Sequence, residues 1–155
     1  MSELTRSPGA PMPLFDRLVA DGEEAQPRRV YGYAELKESV RRELERLLGT
    51  RRPEPAYRLG PQDPTVLDYG IPDFSGQWAQ DPSYQQEIAR AAQRAIAAFE
   101  PRLRQVRVQA RPGATVNSLV LEIAGVLAAG EVTAPVAFAV PIEGGAAAPT
   151  APHGT

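Results

Sequence analysis

The sequence contains no cysteine. That removes thiol nucleophiles, disulfides and thiolate metal sites, and it fits a reducing compartment. The one histidine, His153, lies in a Pro/Gly/Ala-rich end and leaves almost no room for a Ser-His-Asp triad or a histidine-built metal site. No cofactor and no metal are therefore expected. Lysine is nearly missing too, with Lys37 standing alone against sixteen arginines. Because alanine, glycine and proline are abundant, this bias reads as the mark of a GC-rich genome. A net charge of −2 gives no overall signal for nucleic acid or an anionic membrane. The start of the chain lacks a basic segment followed by an apolar run, so no secretory signal is expected. The longest apolar-rich stretch, residues 119–130, is broken by Glu122 and falls short of the roughly 20 residues of a membrane span. Glycine-rich phosphate loops of the G-x-G-x-x-G or G-x-x-x-x-G-K kind are absent.

What remains is a chain of 155 residues with 43% hydrophobic and 23% charged content, enough for one domain with a core. Residues 1–13 read as a disordered arm, 14–29 as a short helix and linker, 30–142 as the domain, and 143–155 as a disordered tail. Tyr33, Leu36, Val40, Leu44, Leu47 and Leu48 recur at helical spacing, and Gly49 is the expected C-terminal cap. Residues 50–80 predict a long ordered connection, with a helical turn near Pro64 to Tyr69. Asp81-Pro82 is a helix start, and Tyr84, Ile88, Ala92, Ala95, Ile96 and Phe99 form the apolar stripe of a helix that stops before Pro101. The period then changes to two. Val106, Val108 and Ala110 mark a first strand, Leu119, Leu121 and Ile123 a second, and Val136, Phe138, Val140 and Ile142 a third. Pro135 and Pro141 push that third strand to a sheet edge. Helices before strands predict an α+β fold, two amphipathic helices packed on a small antiparallel β-meander of about three strands.

The search for chemistry finds little. Glu43 with Glu45, or Glu100 with Asp73, supplies the two carboxylates of a glycosidase, but sequence spacing says nothing about distance in space. Residues 81–112 carry six arginines against three acids. No aromatics interleave with them, so a protein interface or a solvated face outweighs nucleic acid. Three segments are more informative. Leu47-Leu48-Gly49-Thr50-Arg51-Arg52-Pro53 runs off the first helix, where its arginines suit the negative end of the dipole. Tyr69-Gly70-Ile71-Pro72-Asp73-Phe74 reads as a loop folded back on the core. In Phe99-Glu100-Pro101-Arg102-Leu103, proline fixes the helix-to-strand corner between an acid and an arginine. That corner either binds a partner through charge-assisted hydrogen bonds or closes on itself as an internal salt bridge, and the residues alone favour neither.

Together with the early Leu14-Phe15-Asp16-Arg17-Leu18, and in this order, these segments resemble the baseplate-wedge, sheath-initiator family of contractile injection machines, over roughly residues 14–142. Gly49 stands where that family usually has asparagine. The resemblance implies a structural protein and not an enzyme, in the cytoplasm on a membrane-docked baseplate. Glu100, Pro101 and Arg102 are the implied docking site for the wedge subunits TssF and TssG. The sheet edges would meet strands of the first ring of sheath subunits, TssB and TssC, and TssK is a further implied neighbour. A type VI secretion system is the implied setting, with a contractile phage tail as the alternative. A carboxylate-based, lysozyme-like glycan hydrolase is the rival from another class, and no residue of the chain supports it.

Overall fold

In the computed structural model, which describes residues 9–19, 30–52, 65–74 and 79–143, the chain opens with strand β1 (Ala10–Pro11) and helix α1 (Leu14–Val19). Strand β2 (Val30–Tyr31) pairs antiparallel with β1 and leads into helix α2 (Tyr33–Gly49). The Glu35 carboxylate caps that helix by accepting the Gly32 N–H at 3.0 Å. Residues 9–13, assigned by the sequence to a disordered arm, are thus partly ordered, with Ala10 and Met12 buried. A two-residue strand gives the sequence no period to read. Gly49 also departs from expectation. It is the last helical residue and not a left-handed cap; Thr50, in extended geometry, ends the helix, its N–H and hydroxyl both donating to Arg46 O.

Strand β3 (Arg51–Arg52) follows at once, and after a 3₁₀ turn (Val66–Asp68) strand β4 (Ile71–Pro72) runs parallel to it. Helix α3 (Pro82–Phe99) starts as its sequence requires, with Asp81 accepting the Ser83 N–H at 2.8 Å and proline in the first turn. The last three strands, β5 (Leu103–Pro112), β6 (Ser118–Ala129) and β7 (Val132–Glu143), form an antiparallel meander in that spatial order. The expected α+β architecture, with β7 and its prolines at an edge, is the one observed.

Helices α2 and α3 cover one face of the meander. Leu36, Val40, Leu44, Leu47 and Leu48 of α2 and Ile88, Ala92 and Ile96 of α3 meet Leu119, Leu121, Ile123 and Leu127 of β6, all at or below 3% exposure. Tyr33 heads the α2 stripe in sequence but stays 41% exposed. Strand β5 contains a bulge between Arg104 and Arg107, where Gln105 takes a left-handed φ of 52°. The insertion reverses the side-chain parity, so Leu103 before it and Val108 after it both reach the core. Gly125 lies across from the bulge, where a Cβ would come within 2.9 Å of Arg104 O.

Candidate functional site

The corner between α3 and β5 is closed by its own side chains. The helix ends at Glu100, whose N–H still donates to Ile96 O, and Leu103 N–H returns to Glu100 O. Glu100 is 2% exposed. Its Oε1 accepts the Arg102 backbone N–H at 3.2 Å and Nε at 2.8 Å, and its Oε2 accepts Nη2 at 2.7 Å. This is a forked, charge-assisted pair between residues two apart, possible because Pro101 bends the backbone out of helical geometry. Arg102 Nη1 donates to Ser39 Oγ of α2 at 3.0 Å, which fastens the corner to the other helix. Burial works against the Arg102 charge, but the Glu100 hydrogen bonds and negative charge, with contributions from Asp16 and Glu43, outweigh it and raise its pKa. Pro101 is exposed, and the Arg102 side chain is 21% exposed.

The other sequence segments converge on the same wall. Ile71 N–H donates to Thr50 O and Asp73 N–H to Arg52 O, so the segment leaving α2 and the Tyr-Gly-Ile-Pro loop are zipped together. Gly70 makes this approach possible: at φ 106°, a Cβ there would lie 2.6 Å from Thr50 O. The ring of Tyr69 packs edge-on against Phe99, centroids 5.3 Å apart, and its hydroxyl donates to Glu43 Oε1 at 3.1 Å. Burial, then the Glu43 charge, push the Tyr69 pKa up to about 12. Arg51 donates to Leu48 O at 2.7 Å, as a cation at a helix end should, and to Glu143 O at the end of β7. Arg52 is buried beside Asp68, 3.8 Å away. On α1, Asp16 lies 3.4 Å from Arg42 of α2, which brings the first segment to the same helix. Pro53 lies outside the described residues.

The structure therefore brings Glu100 and Arg102 together and leaves Pro101 outermost. Ser39, Glu43 and Tyr69 complete the cluster. Sequence reading named Tyr69 only as part of a loop and passed over Ser39, although a serine inside a leucine stripe is a signal for a buried polar contact. Three of the four carboxylates considered for hydrolysis have other occupations. Glu43 is engaged by Tyr69 and Arg46, Glu45 by Arg41, and Glu100 by Arg102. Among the described residues no group of His, Cys, Asp and Glu is placed to hold a metal, and no helix is long and apolar enough to cross a membrane.

The fold is thus a helix-backed antiparallel meander, with the segments around the corner fastened to it by hydrogen bonds and ion pairs. The model of one family, baseplate wedge protein gp25, matches residues 34–131, and the chain belongs to that family. No curated protein is a match. Among solved structures, a chain of "The baseplate complex from the type VI secretion system" is similar at 19% identity, covering 68% of this chain and 93% of that one, with a TM-score of 0.48.

Proposed function

We propose that this wedge protein occupies the TssE position of a type VI secretion baseplate, where it joins the wedge subunits TssF and TssG to the sheath and starts sheath polymerisation. The observation that supports this reading best is the internal lock of the corner. Glu100 and Arg102 satisfy each other, so the exposed Pro101 and the outer edge of the Arg102 guanidinium are held in one place before any partner arrives. Three guanidinium N–H groups are taken by Glu100 and Ser39; the outer ones have no hydrogen-bond partner among the described residues and can meet an acceptor on the wedge. On the sheath side, β5 and β7 each pair with β6 alone among the described residues. They are edges to which strands of TssB and TssC can add through main-chain hydrogen bonds. TssK is a further neighbour in this reading, the location is the cytoplasmic side of a membrane-docked baseplate, and the role involves no catalysis.

Co-purification with wedge and sheath subunits tests the proposal. Pro101→Asp, which removes the exposed ring and sets a carboxylate at the tip of the corner, should abolish wedge capture in a chain whose thermal unfolding remains cooperative. Wild type should release no sugar from peptidoglycan. Undiminished wedge capture by Pro101→Asp, or measurable sugar release, would overturn the reading. The contractile phage tail shares the same family and the same mechanics, and the genes adjoining this one distinguish the two settings.

A further inference from the structure

The meander has a second face, turned away from α2 and α3, and its composition is unusual for a surface in water. An antiparallel sheet covered on one side ordinarily alternates apolar inward with polar outward. Strand β5 obeys, with Arg104, Arg107, Gln109 and Arg111 outward and exposed. Strand β7 does not: its four successive outward positions are Pro135, Ala137, Ala139 and Pro141, all exposed. The register sets these opposite Val126, Ala124, Glu122 and Val120 of β6, with both valines only half-buried. A genome-wide taste for alanine and proline does not account for this, because the outward residues near the ends of β7, Thr133 and Glu143, are polar. The apolar strip coincides with the middle of the face, where an open depression of about 520 Å³ runs between Arg107 and Ala139.

Charge on this face falls to one side. Glu122 is the one carboxylate in the four central rows, against three arginines of β5. It pairs with Arg111 at 3.0 Å, and Arg104 and Arg107 have no ion-pair partner among the described residues. The face is thus a basic rail beside a flat apolar floor. Rail and floor lie about 10 Å apart across three strands, which is the width of one helix. Arg104 and Arg107, on either side of the bulge, stand opposite β6 residues two apart, about 7 Å along the strand and close to one helical turn.

We propose that this face docks an amphipathic helix of another protein. Its apolar side lies on β6 and β7, and aspartates or glutamates one turn apart on its flank pair with Arg104 and Arg107. The small residues of the floor let the helix approach closely, and it becomes the third layer of the sheet. This surface is distinct from the corner and from the strand edges, and the proposal goes beyond the wedge and sheath roles given above.

The test places a photoreactive benzoylphenylalanine at Ala137 of the full chain, in the cells that produce it. After irradiation, mass spectrometry reads the sequence of the crosslinked peptide. The expected product is one segment of a different protein with helical apolar spacing and acids on one flank. Arg107→Glu should cut its yield at least tenfold, and reversing the matching acid on the partner should restore it. Arg107→Gln provides the same reading if the charge reversal lowers the unfolding midpoint. Crosslinks to residues 144–155 of the same chain, to a second copy, to a segment without acids, or to nothing would each overturn the proposal. So would a yield indifferent to Arg107.

Discussion

The energetic centre of the corner is a pair of side chains that cannot be judged singly. Arg102→Ala leaves the Glu100 carboxylate buried without its cation, and chemical denaturation should show a loss of about 3–5 kcal/mol. Arg102→Lys keeps the charge but not the planar fork, and should recover only part of that loss. The pair was half legible in the sequence. Proline at a helix end announced the corner, but two residues flanking a proline face each other only if the bend is sharp, and sharpness is not encoded in spacing. Ser39, and the contact that Glu43 makes with Tyr69, escaped for a related reason, since each depends on an element far along the chain. A second prediction concerns Tyr69, whose folded pKa of about 12 stands above the ordinary 10. A group raised in this way contributes stability that is complete below pH 10 and is lost as the pH climbs through 12. Tyr69→Phe should remove one of the late-titrating phenols in the ultraviolet spectrum and flatten the decline of the unfolding midpoint over that window.

Elements were legible where their period ran long. The stripes of α2 and α3 and the alternation in β5 to β7 identified the layers, because each repeats a burial requirement over many residues. The bulge in β5 was invisible, since one inserted residue leaves alternation intact on both sides and changes only which side is which. Its left-handed Gln105 carries a steric penalty that glycine avoids and a β-branched residue worsens. Gln105→Val should therefore cost about 1–3 kcal/mol in equilibrium unfolding, with Gln105→Gly near neutral. The zipper between β3 and β4 is equally sensitive. Gly70→Ala introduces both a strained φ and a collision with Thr50 O, and should cost about 2–3 kcal/mol. The two-residue strands of that zipper, like β1 and β2, are made by tertiary proximity and have no signature of their own.

Over the whole molecule, the first described residues are held by the last hairpin. Gly9 O accepts the Glu131 N–H, and Ala10 lies so close to Gly130 that a Cβ there would come within 2.9 Å of Ala10 and of Gly9 O. Met12→Ala should cost about 2–5 kcal/mol, measured by urea unfolding, although the residue sits where the sequence suggested a loose arm. This long-range closure has a consequence for synthesis. Helices α2 and α3 are both synthesised before any of the strands that cover their leucines and isoleucines, and the N-terminal strap, though paired with β2, lacks its anchor in the last hairpin until residue 131 is made. A chain truncated near residue 100 and released would be a pair of bare amphipathic rods, greedy for any apolar surface nearby, including another such fragment.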